Sequence, residues 1–171
     1  VTIEKKVETL KAVLDGFGFP MAVLHLGRFR VIWGGPYRDR PLKADIQICM
    51  AREIDEPATY RVEAVDFGVP SEKRMLKALK KVLYGLALRR TVFVGCAGGL
   101  GRTGLFMAVL MAALGHPNPV AFVRRQYRKR AVETPEQEKY VEDFPYRKLR
   151  GALWRARLLA RFHDWWVDIR E

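Results

Sequence analysis

Cys96 and Arg102 are separated by Ala97, Gly98, Gly99, Leu100 and Gly101, five small or apolar residues of which three are glycine, and Thr103 and Gly104 follow. A thiol and a guanidinium at that spacing can close around a tetrahedral dianion. The glycines permit positive φ values and close backbone approach, so successive N–H groups can turn inward as an anion cradle formed by Ala97, Gly98, Gly99, Leu100 and Gly101. Arg102 brings a planar fork of donors that grips two phosphoryl oxygens at once, which a lysine cannot do. A free thiol has a pKa of ~8.5, which falls to roughly 3.5–7.5 at a helix N-terminus beside a fixed cation. The segment therefore predicts a thiolate nucleophile at Cys96, with Thr103 placed to hydrogen-bond the sulfur when it must leave.

The flanking residues supply the elements such a loop needs. Residues 91–94 are β-branched and apolar, suited to a buried strand, and residues 103–114 are long and apolar enough for a buried helix. Strand, tight loop and helix then follow one another, and the helix N-terminus adds its own positive field. No Gly-Lys-Ser/Thr follows, so the loop is not a Walker nucleotide loop.

Upstream, residues 3–14 carry Ile3, Val7, Leu10, Val13 and Leu14 at helical spacing. Residues 21–26 and 28–33 flank Gly27 as a strand pair, and Gly34-Gly35-Pro36 reads as the break after it. Residues 45–50 and 60–66 read as two more strands, the second delivering Asp66 at its carboxyl end. Ser71 can cap the next helix, whose Met75, Leu76, Leu79, Val82, Leu83 and Leu86 form one apolar stripe opposite lysines. Residues 119–129, 135–144 and 148–170 complete the helices. The alternation predicts a single α/β domain over residues 1–171, a central mixed sheet with parallel core strands flanked by helices. Sites in such sheets lie at the carboxyl ends of strands, where both Asp66 and Cys96 fall.

Residues 96–104 resemble the Cys-x5-Arg-Ser/Thr signature of the cysteine-dependent protein tyrosine and dual-specificity phosphatases. Ala64-Val65-Asp66-Phe67-Gly68-Val69-Pro70 is similar to their mobile acid loop, written Trp-Pro-Asp-x-Gly-x-Pro, and Ala131-Val132-Glu133-Thr134-Pro135-Glu136-Gln137 to their glutamine loop. The three motifs occur in the family's order and span about half the chain. The resemblance implies a phosphatase-like fold, a phosphocysteine intermediate on Cys96, Asp66 as general acid and then base, and Gln137 orienting the hydrolytic water. It further implies that Arg128 makes a secondary anion contact, and that phosphorylated protein is the substrate. Gly95 stands where the family has histidine, Ala64 and Val65 where it has Trp-Pro, and Glu133 where the tyrosine-specific members have glutamine. Their tyrosine-recognition loop has no clear counterpart, although Tyr37-Arg38-Asp39-Arg40 occupies a comparable stretch before a strand, and the expectation is broad specificity.

Two readings stay open for Cys49. Its context, Ile48-Cys49-Met50-Ala51-Arg52-Glu53, resembles the strand of phosphatase-and-tensin relatives that carries a redox partner for the nucleophile, and a buried apolar cysteine is the alternative.

Composition bounds the remainder. The chain has 171 residues, 49% apolar and 29% charged, enough for one domain with a core. No apolar run approaches the ~20 residues of a membrane span and no secretory pattern opens the chain, which predicts a cytoplasmic protein. Two cysteines and three scattered histidines give neither a disulfide scaffold nor metal-ligand spacing, so no metal or cofactor is expected. A net charge of +12 points to anionic partners: phosphorylated protein, anionic lipid or nucleic acid. The charge also keeps a phosphoinositide or RNA 5′-phosphatase open, and Gly95 keeps open a phosphate-binding pseudophosphatase or adaptor. Residues 146–171 mix tryptophans and leucines with arginines, a basic amphipathic helix that packs on the domain or lies on an anionic membrane or partner.

Overall fold

A computed structural model describes residues 19–23, 26 and 30–170. The expected opening helix and the turn at Gly27 lie outside the described residues. Five strands form one sheet: β1 (Phe19–Val23), β2 (Arg30–Pro36), β3 (Ile46–Ala51), β4 (Tyr60–Ala64) and β5 (Val92–Cys96), in the order β1-β2-β5-β3-β4. β1 runs antiparallel to β2, and the β2–β5, β5–β3 and β3–β4 pairs are parallel. The expected mixed sheet with parallel core strands is present. β5 occupies its centre and is buried throughout, which is why Val92-Phe93-Val94-Gly95-Cys96 contains no polar alternation.

Helices flank the sheet in two groups. α1 (Glu72–Ala87) starts at Ser71, whose hydroxyl accepts from the Arg74 N–H at 3.5 Å, and buries Met75, Leu79, Val82, Leu83 and Leu86. α2 (Gly101–Ala113) follows β5 and is buried nearly all round, with α3 (Pro119–Gln126) and α4 (Pro135–Asp143) packed against it. After a 3-10 turn at Tyr146–Leu149, α5 (Arg150–Arg170) lies along α1.

One expectation needs correction. Gly34-Gly35-Pro36 does not break the chain but completes β2, paired with Val94, Gly95 and Cys96. The glycines are there for approach: a Cβ on Gly34 would sit 2.5 Å from Met107 Cε and 3.0 Å from Thr103 Cγ2. The helix behind the sheet can press on β2 only because no side chain intervenes.

α5 is fixed by a buried ionic cluster. Arg30, on β2, donates to Asp164 at 2.8 Å and to the Leu86 and Ala87 carbonyls at the end of α1 at 2.7 and 3.2 Å, and Arg89 reaches Asp164 at 3.1 Å. The cluster satisfies helix-end carbonyls and neutralises a charge that would otherwise be costly to bury.

Candidate active site

Three adjacent parallel strands, β5, β3 and β4, end on the same side of the sheet, and each sends one residue to a common point. β5 ends at Cys96, Glu53 follows β3 by two residues, and Asp66 follows β4 by two. The loop after Cys96 is pressed against backbone. A Cβ on Gly95 would lie 2.8 Å from both the Gly35 carbonyl oxygen and Tyr37 Cα, and Gly99, at φ +64, would place one 2.3 Å from the Gly35 carbonyl carbon. From the other side the Tyr127 hydroxyl donates to the Gly99 carbonyl at 2.6 Å. Ala97 and Gly98 are left exposed at the loop's outer turn, and no side chain caps the N–H groups at the start of α2. The loop amides are thus free to meet an anion.

The histidine of the related motif has no room at position 95. Gly95→His is therefore expected to lower unfolding stability by about 1–3 kcal/mol or more through overpacking. Thermal unfolding checks this, and an unchanged midpoint would contradict the contact geometry.

Arg102 is 2% exposed and its guanidinium is almost fully committed. Nη1 donates to Glu53 Oε2 at 2.8 Å and to the Ala64 carbonyl at 3.0 Å, while Nη2 donates to Glu53 Oε1 at 2.6 Å and lies 3.0 Å from Asp66 Oδ1. Burial works against the Arg102 charge, but the Glu53 bridge, with Cys96 and Asp66 nearby, outweighs it and raises its pKa. The same bridge lowers the Glu53 pKa to about 2. Glu53 occupies the end of the fork, so the remaining edge for a phosphoryl group is Nε with Nη2. Asp66 now touches Nη2, and a bound dianion must displace it.

Glu53→Gln is expected to lower kcat/KM about 10-fold, since a guanidinium released from its partner loses the alignment an in-line reaction needs. Stability supplies a second readout. The folded Glu53 pKa lies below its ordinary value of 4.5, so its contribution is complete above about pH 4.5 and is lost as pH falls toward about 2. The melting-temperature gap between wild type and variant should close across that window, and a gap independent of pH would count against the bridge.

The loop that carries Asp66 is tied down at its far end. The Thr134 hydroxyl donates to the Phe67 carbonyl at 3.2 Å, and the fully buried Gln137 donates Nε2–H to the Gly68 carbonyl at 3.2 Å while its Oε1 accepts from the Glu133 N–H at 2.9 Å. Gln137 thus stitches the loop of Asp66 to the loop before α4. Phe67 and Val132 hold φ values of +59 and +58, strained for such side chains and found at the edge of the site. Arg124 fixes that strand of chain, donating to the Ala131 carbonyl at 3.0 Å, the Val132 carbonyl at 2.7 Å and Glu138 at 2.6 Å.

The remaining sequence-derived residues fall as follows. Thr103 is fully buried in the first turn of α2, and its hydroxyl has no hydrogen-bond partner among the described residues. Cys49 is a core residue of β3, its Cα opposite Gly95. Its thiol lies 3.5 Å from the Ala51 carbonyl, and burial pushes its pKa up. Arg128 stacks 4.0 Å over the Phe19 ring. Tyr37 is buried and donates to the Pro57 carbonyl at 2.6 Å, so it belongs to the core and not to a recognition loop. Glu53 and Tyr127 were not singled out by sequence reasoning. Glu53 had one available signal, its position just beyond a strand that runs parallel to the strand of Cys96.

No family model matches the chain. It is 38% identical over 93 residues to one uncharacterized protein of Methanocaldococcus jannaschii, covering 54% of this chain and 58% of that one. A second uncharacterized protein of the same organism is 36% identical over 91 residues, covering 53% and 62%. The chain thus spans under two thirds of the length of these relatives. Among solved structures, Tk-PTP in its active form superposes with a TM-score of 0.56 at 24% identity, covering 75% of this chain and 98% of that one. A glycine-to-alanine mutant form of Tk-PTP gives 0.53 at 24%, covering 61% and 78%. With its five-stranded mixed sheet and flanking helices, the chain has the phosphatase-like α/β fold of Tk-PTP.

Proposed function

We propose that the chain is a cysteine-dependent phosphatase that hydrolyses phosphomonoesters through a phosphocysteine, with phosphorylated protein of the tyrosine or dual-specificity class as substrate. The observation that carries this reading is the state of Arg102: buried, squared by Glu53, and presenting its one remaining edge beside Asp66 on the loop that begins at Cys96. The match to Tk-PTP supports the same reading at the level of fold.

The Cys96 thiolate attacks phosphorus in line, forming the S–P bond as the P–O bond to the leaving group breaks. The amides of residues 97–101 and the Nε/Nη2 edge of Arg102 hold the equatorial oxygens. Arrival of those oxygens frees the exposed Asp66 carboxylate from Arg102, it takes up a proton from solvent, and the carboxyl passes that proton to the departing oxygen. The resulting carboxylate takes a proton from water as that water attacks phosphorus, the S–P bond breaks, and phosphate leaves with the thiolate restored. The otherwise partnerless Thr103 hydroxyl is the donor to sulfur in this second step. Gln137 acts here by holding the loop of Asp66 over the site, and the water-orienting role implied by the resemblance requires it to release the Gly68 carbonyl first.

The test is phosphate release from phosphotyrosine and phosphothreonine peptides, a phosphoinositide and 5′-triphosphorylated RNA, with Cys96→Ser as the blank. Release from the peptides that vanishes in the blank supports the proposal. Release from lipid or RNA alone overturns its substrate class, and release from none overturns the activity.

A further inference from the structure

α5 has two apolar faces, and the described part of the domain packs on one of them. The face against the domain is made of small residues, Ala152, Ala156 and Ala160, followed by Asp164 in its cluster with Arg30 and Arg89. Alanines at intervals of four let the helix approach closely, with Leu153 packed against the core and Arg157 donating to the Leu114 carbonyl beside them. Most of its other large apolar side chains point the other way. Trp154, Leu158, Phe162, Trp165 and Ile169 recur at the helical repeat and are 65%, 39%, 60%, 59% and 59% exposed. At 1.5 Å per residue the stripe runs about 22 Å. Scattered exposed hydrophobes are ordinary on a soluble protein, but a continuous ridge with two tryptophans and a phenylalanine is not.

Charge selects what the ridge meets. By helical position, Arg150 and Arg161 border it on one side, with Asp168 at the far end of the same border, and Arg155 on the other; the three arginines are exposed and without an acidic partner among the described residues. A second copy laid on the ridge would set arginine rows of two chains, each of net charge +12, against one another. An anionic lipid surface offers the complement to both features: phosphate headgroups for the arginines, and the headgroup–acyl boundary for tryptophan and phenylalanine. No described helix is long and apolar enough to cross a membrane, so the fit is to a surface. We propose that α5 docks this protein on anionic lipid bilayers by its outward Trp154–Ile169 ridge, flanked by arginines, while its alanine face keeps the domain attached. The inference is independent of the proposed activity.

The test uses the full 171-residue chain and sedimentation with vesicles of phosphatidylglycerol or of phosphatidylcholine. Wild type is expected to bind the anionic vesicles at least about tenfold more tightly than the neutral ones, and its tryptophan fluorescence should be quenched by brominated acyl chains. Combining Trp154→Ser, Phe162→Ser and Trp165→Ser should weaken binding by at least about tenfold, with the melting temperature reporting that the domain is intact. Quenching in the wild type keeps the test decisive if that variant misfolds. Wild type left in the supernatant, binding without quenching, or an intact ridge variant that binds as tightly as wild type overturns the proposal. So does a lipid-independent dimer that the ridge variant dissolves, which would assign the ridge to a second copy.

Discussion

Cys96→Ser is expected to lower turnover of p-nitrophenyl phosphate by at least about 10³-fold, to the level of the blank in a routine assay. Serine nearly preserves the shape of the residue at the end of β5, so the loop wedged against Gly35 and Pro36 should keep its form. What disappears is an ionisable nucleophile, since a hydroxyl with no adjacent general base is a weak one near neutral pH. The binding half of the site should survive: inorganic phosphate or vanadate should still raise the variant's melting temperature. Activity within tenfold of wild type would mean that the chemistry is not on this sulfur.

Asp66→Asn carries the second large effect, a loss of about 10²–10⁴-fold for substrates with poor leaving groups. The loss should be smaller for p-nitrophenyl phosphate, whose phenolate departs with little need of a proton, and larger for an alkyl or phosphoserine ester. Asparagine also cannot compete ionically for Arg102 Nη2, so KM should hold steady or fall while kcat drops. An equal loss for both kinds of leaving group would remove Asp66 from the role of acid.

The residues legible in sequence were those whose chemistry depends on near neighbours. Cys96, the glycines and Arg102 lie within seven positions, and strand, loop and helix follow from local composition, which is why the order of elements could be read directly. Glu53 could not be read that way. It lies 49 positions from Arg102, and only the parallel register of β3 between β5 and β4 brings its carboxylate onto the guanidinium. The same limit hid the role of Gly34-Gly35-Pro36: a glycine pair before proline ordinarily ends a strand, whereas here bare backbone is what the loop and α2 require on their far side. For α5 packing on the domain and lying on a surface both stayed open in the sequence, and the structure packs the helix by its alanines while leaving the tryptophans outside.

The Asp164 cluster makes the last helix something other than a detachable appendage. A chain cut ahead of residue 164 would deprive Arg30, sealed beneath the sheet, of its carboxylate counterion and strip the cover from the end of α1. Truncation would thus injure the scaffold of the Cys96 loop from behind, and separating the proposed lipid attachment from the proposed activity calls for changes on the helix's outer surface, leaving its length alone.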